Sequence, residues 1–264
     1  MSSGTVEHFE ISLNTPAGQV TTAIAVPTGF VPIASIVPMM RSLGQQVQSL
    51  EQERLLTSGR TISCKKGCSA CCRMLVPLSA PEALAFQQAF EQYDEQTKSR
   101  LIARLDAAKL RLAQSGLLEQ LVNLAESADG VSDEAVEPIN RAYYALRMPC
   151  PFLDHDACLI YEDRPSACRE LAVTSPASLC DNLLNPAIQP VPVSMRISTA
   201  LGLLWGELTA SVPRLIPLPL ALDWARQHQA DGERRLPGTT LLDRALDKLW
   251  RYLGQEHARR TSGQ

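Results

Sequence analysis

The chain contains no uninterrupted apolar segment of the roughly 18 residues that a membrane-spanning helix needs. Its longest apolar stretch, residues 200–216, carries Glu207, Pro213 and Arg214, so no membrane contact is expected. Charge of one sign is not in excess either. Twenty-five basic and 28 acidic residues leave a net charge of −3, which gives no general attraction to nucleic acid or anionic lipid. Aromatic residues make up only 5 %, and the basic residues are scattered, so a nucleic-acid partner is not expected. The N-terminal MSSGTVEHFEISLNTPAGQV lacks the basic stretch and apolar run of a secretory leader, and a cytoplasmic location is expected. A Gly-rich strand-to-helix turn of the kind that cradles a nucleotide cofactor is also missing. No internal repeat is visible.

What the chain does have is cysteine, eight residues in two windows. Cys64, Cys68, Cys71 and Cys72 fall within nine residues, and Cys150, Cys158, Cys168 and Cys180 fall within the second window. The windows differ in spacing, so duplication does not explain them. In a reducing compartment structural disulfides are disfavoured, and clustered thiols serve as metal ligands or redox groups. All eight cysteines are therefore candidate ligands of zinc or of an iron–sulfur cluster.

The rest of the pattern predicts a mainly α fold with a short N-terminal β-hairpin and a small cysteine-rich hairpin and loop region. Phe9, Ile11 and Leu13 alternate with polar residues, a turn at Asn-Thr-Pro-Ala-Gly follows, and Val20, Thr22, Ile24 and Val26 resume the period of two. Helical spacing runs from about Met39 to Thr57. Ser79, Pro81 and Glu82 form a helix start with a capping box. Leu101, Leu105, Ala108 and Leu112 mark a further helix closed by Gly116, followed by helical stretches at 117–127 and 133–147. The C-terminal third reads as helices at 194–211, 218–230 and 239–258, the last with a stripe of Leu242, Ala245, Leu246, Leu249 and Leu253. Trp205, Trp224 and Trp250 lie on apolar faces and are read as core. The expected organisation is a hairpin at 1–30, a cysteine-cluster domain at 31–190 and a helical extension at 191–264.

Within a continuous helix the sulfurs of residues 64–72 would share one face but spread over about 12 Å of axis, too far for one ion with bonds near 2.3 Å. Gly67 offers a break. The expected geometry is a loop carrying Cys64 and Cys68 into a helix holding Cys71 and Cys72, with the second window completing the coordination. The second window itself reads as two short strands around the polar turn Asp154-His155-Asp156, then a short helix at the Arg-Pro-Ser-Ala-Cys-Arg run. Lys65, Lys66, Arg73, Arg164 and Arg169 flank the thiols, where cations would favour thiolates. His155 is read as an exposed turn residue, and Asp154, Asp156 and Asp163 as turn and cap residues.

Two resemblances attach to these cysteines. Cys64, Cys68 and Cys71 match the C-x3-C-x2-C motif of radical S-adenosylmethionine enzymes. Ala70 stands where that family usually has an aromatic, however, and the alternation of strands and helices its barrel needs is missing after residue 72. The second match is more extensive. CKKGCSACCR at 64–73, CPFL at 150–153, CLIYEDRPSACR at 158–169 and Cys180 in SPASLC resemble, in order, the YkgJ-like cysteine-cluster proteins, a zinc- or iron-chelating family. The resemblance implies an iron–sulfur or zinc site, without a known reaction. That family is related to the flagellin lysine N-methylases, which implies a second reading, an S-adenosylmethionine-dependent protein lysine methyltransferase. A third reading is a structural zinc protein that docks a protein partner through its helices.

Overall fold

The computed structural model describes residues 5–182 and 185–262, with side chains through Leu253. Its elements in chain order are strands β1 (Val6–Thr15), β2 (Gly18–Pro27) and β3 (Phe30–Pro32), helix α1 (Ile36–Thr57), strand β4 (Pro77–Leu78), and helices α2 (Ala80–Glu91), α3 (Glu95–Gln114), α4 (Leu117–Glu126) and α5 (Asp133–Ala145). Strands β5 (Leu153–Asp154) and β6 (Ala157–Cys158) follow, then α6 (Ser166–Glu170), α7 (Ile197–Thr209), β7 (Ile216–Pro217), α8 (Ala221–Gln227), α9 (Gln229–Gly232), β8 (Arg235–Pro237) and α10 (Gly238–Ser262). The fold is mainly helical, and its strands form small antiparallel pairs. Among the described residues no helix is long and apolar enough to cross a membrane.

β1 and β2 pair from Val6↔Pro27 to Thr15↔Gly18. Alternation puts Ile11, Leu13, Val20, Ile24 and Val26 on the buried face, which lies on α1 and α10. The main core joins this hairpin to Met40 and Leu43 of α1, Phe86 and Phe90 of α2, Leu201 and Leu204 of α7 and Leu249 of α10. A second cluster, with Leu112, Leu121 and Tyr143, binds α3, α4 and α5 to one another. Short pairings close the ends: β4 with β7 and β3 with β8. At the second of these the chain needs glycine, because a Cβ on Gly238 would sit 2.0 Å from the Pro27 carbonyl oxygen.

Three expectations are corrected. Cys71 and Cys72 are not helical; residues 61–76 form an irregular segment of tight turns, with Cys72 N–H donating to Ser69 O and Met74 N–H to Cys71 O. A helix there would space the sulfurs along its axis, whereas turns fold them inward. The stretch at 218–230 is not one helix: a 3-10 turn at Leu218–Leu220 leads into α8, and His228 separates α8 from α9. Trp250 is not core. It is 43 % exposed, whereas Trp205 and Trp224 are buried and meet edge to face at 6.0 Å. The apolar stripe of α10 is narrower than the sequence suggests, and Trp250 falls just off it.

Candidate metal centre

The two cysteine windows approach each other through backbone contacts. Cys150 N–H donates to the Cys72 carbonyl at 2.7 Å, and Ser63 N–H donates to Val173 O at 2.9 Å. Ser69 Oγ donates to Asp156 Oδ1 at 2.5 Å. On the other flank the Val173 amide donates to the Cys64 sulfur at 3.3 Å. In the first window, Cys68 N–H closes a turn on Lys65 O, and Gly67 sits at φ +90, a conformation that L side chains rarely adopt. This glycine reverses the chain between Cys64 and Cys68.

The second window is held from behind by the helical core. β5 and β6 pair Leu153 with Cys158 and Asp154 with Ala157, and the two intervening residues, His155 and Asp156, both have positive φ. That is a two-residue turn whose twist suits a hairpin. Phe152, fully buried, meets Phe86 edge to face at 5.3 Å. Arg104 on α3 donates to Leu153 O at 2.6 Å and to Asp154 Oδ1 at 2.5 Å. Asp154 is thus an anchor for the hairpin, while His155 is exposed at its tip.

α6, which carries Cys168, is positioned by a buried carboxylate. Glu82 caps its own helix by accepting from Ser79 N–H at 3.1 Å and from Ser79 Oγ at 2.9 Å. The same carboxylate accepts from Ser166 N–H at 2.8 Å and Ser198 Oγ at 2.7 Å, and lies 3.7 Å from the Arg41 guanidinium. Burial alone would raise its pKa; the Arg41 charge and the bonds from Ser166 and Ser198 outweigh that and hold it below the ordinary value. One residue therefore joins α1, α2, α6 and α7. The capping box was legible in the sequence, but the other bonds of this carboxylate were not.

Cys68, Cys71, Cys72, Cys150, Cys158 and Cys168 line one cavity of about 510 Å³. Cys64 and Cys180 are not among its lining residues, yet both are close to the others: the Cys180 thiol is raised by burial and then by Cys64, Cys71 and Cys68. All eight cysteines are free thiols. Among the described residues no three Cys, His, Asp or Glu side chains are already drawn to the spacing of a metal's ligand shell.

The electrostatics are those of crowded thiols. Burial pushes Cys150 up to about 12, with Cys168, Cys158 and Cys71 adding to the shift. Cys168 is likewise pushed up to about 12 by burial, then by Cys71 and Cys158. Cys71 is raised furthest, chiefly by a hydrogen bond with the Cys72 thiol and by burial. Arg164 acts the other way, lowering Cys71, Cys158 and Cys168; its guanidinium stacks on the Tyr161 ring at 3.6 Å, with Lys66 5.0 Å from the same ring. Soft donors that raise one another's pKa are a fit for a cation, since a metal ion reverses the repulsion and takes them as thiolates.

Sequence reasoning missed Glu170. It lines the cavity, accepts from Ile197 N–H at 2.8 Å, and is pushed by burial up to about 7. Its place beside Arg169 in a short helix gave no signal that the side chain turns inward. Nor did anything single out Tyr161 or Arg196, which also line the cavity.

Residues 63–182 match the family model CxxCxxCC, described as "Putative zinc- or iron-chelating domain". Over these residues, somewhat less than half of the chain, the protein is similar to the cysteine-cluster family that its four motif blocks resemble. No curated protein and no solved structure matched the chain.

Proposed function

We propose that this domain holds a multinuclear centre, an iron–sulfur cluster in the cysteine cavity, with all eight cysteines available to the metal sites. The observation that carries the reading is the number of thiols facing one space. Six line a single cavity, whereas a mononuclear structural zinc takes four ligands at about 2.3 Å. Two of them, Cys71 and Cys72, are adjacent in sequence, an awkward pair for one tetrahedral ion but a natural one for neighbouring metals.

In this reading Cys68, Cys71, Cys72, Cys150, Cys158 and Cys168 hold the cluster. Cys64 and Cys180, near Cys68 and Cys71, complete it or bind a second ion. When bound, such a group supplies one-electron transfer at a potential set by charge, hydrogen bonding and exposure. The protein's own part is to present thiols from two distant windows, to place Arg164 as the counter-charge, and to surround the sulfurs with apolar residues such as Leu75, Ile160 and Leu218 that restrict water.

Anaerobic purification followed by absorbance and by analysis for iron, acid-labile sulfide and zinc tests this. Iron with matching sulfide and visible charge-transfer bands is expected. A colourless protein with zinc alone overturns the iron–sulfur reading and leaves a structural zinc protein.

A further inference from the structure

A second cavity of about 260 Å³ lies on the other side of α6 and shares Tyr161, Arg164, Glu170, Val191 and Val193 with the cysteine cavity. Three guanidiniums line it, those of Arg41, Arg164 and Arg169. Arg164 is accounted for by the thiols and Arg169 in part by the main chain, whereas Arg41 is not. Arg169 places Nε on Arg164 O at 3.0 Å and Nη2 on Glu162 O, which fixes its guanidinium and leaves Nη1 for a ligand. Its own carbonyl is fixed by Gln48 Nε2 at 2.6 Å, which sets its place in the wall. Arg41 has its counter-ion Glu82 at 3.7 Å, beyond hydrogen-bond range, and its buried Nε and Nη2 have no hydrogen-bond partner. Buried guanidinium donors without partners are costly and call for an acceptor. The rest of the wall is mixed, with Val47, Met195 and Ile197 beside Gln45, Gln48, Ser166 and Ser194.

We propose that this cavity binds a small molecule with a carboxylate head and an apolar tail, the head held by Arg41 and Arg169 and the tail lying along Val191 and Val193 towards the metal centre. A guanidinium presents a planar fork that matches a carboxylate. Glu51, Glu162 and Glu170 also line the cavity. These carboxylates favour a monoanion over a doubly charged phosphate, because each added charge meets like charge in a partly dry space. At about 260 Å³ the cavity falls just below the usual lower bound for ligand cavities, about 300 Å³, and so limits the ligand to a few heavy atoms beyond its head. This site is independent of which metal the thiols hold.

The test is calorimetric titration of the full, metal-loaded chain with valerate, with inorganic phosphate and with 1-pentanol. Arg41→Lys, which keeps the charge opposite Glu82 but loses the fork, and Val193→Phe, which fills the shared wall, serve as variants. Saturable binding of one valerate per chain is expected, weakened at least about tenfold in each variant, with phosphate weaker than valerate and pentanol silent. Metal content is measured on every sample, so loss of the metal centre is told apart from loss of this site. Absence of saturable valerate binding to the wild type overturns the proposal. So does binding that survives unchanged in either metal-replete variant, or phosphate or pentanol binding as tightly as valerate.

Discussion

The amide of Cys150 donates to the carbonyl of Cys72 over 2.7 Å, joining by a single main-chain bond two cysteines that stand 78 positions apart. Around that bond the thiols of both windows converge on one cavity. Cys71 is the common neighbour: its charge acts on Cys150 and Cys168 of the second window, and on Cys64 and Cys180 at the other flank. The spatial grouping thus cuts across the grouping in sequence.

Cys71→Ser should cost more bound metal than Cys180→Ser, because Cys71 faces the cavity and both thiol groups whereas Cys180 lies outside its lining. Metal analysis of both variants, purified side by side, checks the order. Equal loss would show that the two sulfurs are equivalent to the centre.

Glu82→Gln should destabilise the fold strongly. The change leaves Arg41 buried without its counter-ion and weakens the bonds from Ser166 and Ser198. Breaking a buried ion pair by removing one partner costs about 3–5 kcal/mol. The urea midpoint of the metal-free protein reads the effect. Since the carboxyl is held below its ordinary value, its contribution is present above the unfolded-state pKa, about 4.3, and is lost as pH falls through the lower folded value.

The metal-free protein should lose stability as pH rises through the alkaline range. Cys150 and Cys168 titrate at about 12 in the fold against 9.0 for a free thiol. A raised folded pKa contributes stability that is complete below the unfolded value and disappears as pH approaches the folded one. Metal binding reverses the preference by taking thiolates, so zinc or iron uptake at neutral pH should release protons. A pH-stat measures the release directly, and uptake without any proton release would contradict thiolate ligation.

His155→Gly should leave the metal content unchanged and raise stability by up to about 1 kcal/mol, because glycine removes the left-handed strain of a side chain at φ 45. Thermal unfolding and metal analysis of the same sample check both halves. Loss of metal would assign His155 a role at the centre that its exposed position does not indicate.

The hairpin alternation, the helix periods and the capping box at Ser79 and Glu82 were all legible, because each depends on neighbours within a few residues. The turn conformation of Cys71 and Cys72 was not. Their spacing fits a helix equally well, and the choice is made by the Cys150 amide and the Asp156 carboxylate, which arrive from elsewhere in the chain. Trp250 shows the same limit on α10, where the apolar stripe was plain but the width of the buried face depended on how α7 and β2 pack against it.

The sequence by itself determined eight thiols in two windows, Gly67 to turn the first, and a mainly helical frame to carry them. Local pattern suffices for that, since residue type and short-range spacing decide secondary structure and ligand chemistry. Tertiary structure alone decided which thiols face one another, that the second oxygen of Glu82 ties down α6, and that Arg41 and Arg169 look into a separate cavity. Those relations join residues scores of positions apart, and only the packing of the core brings them within reach of a hydrogen bond or a charge.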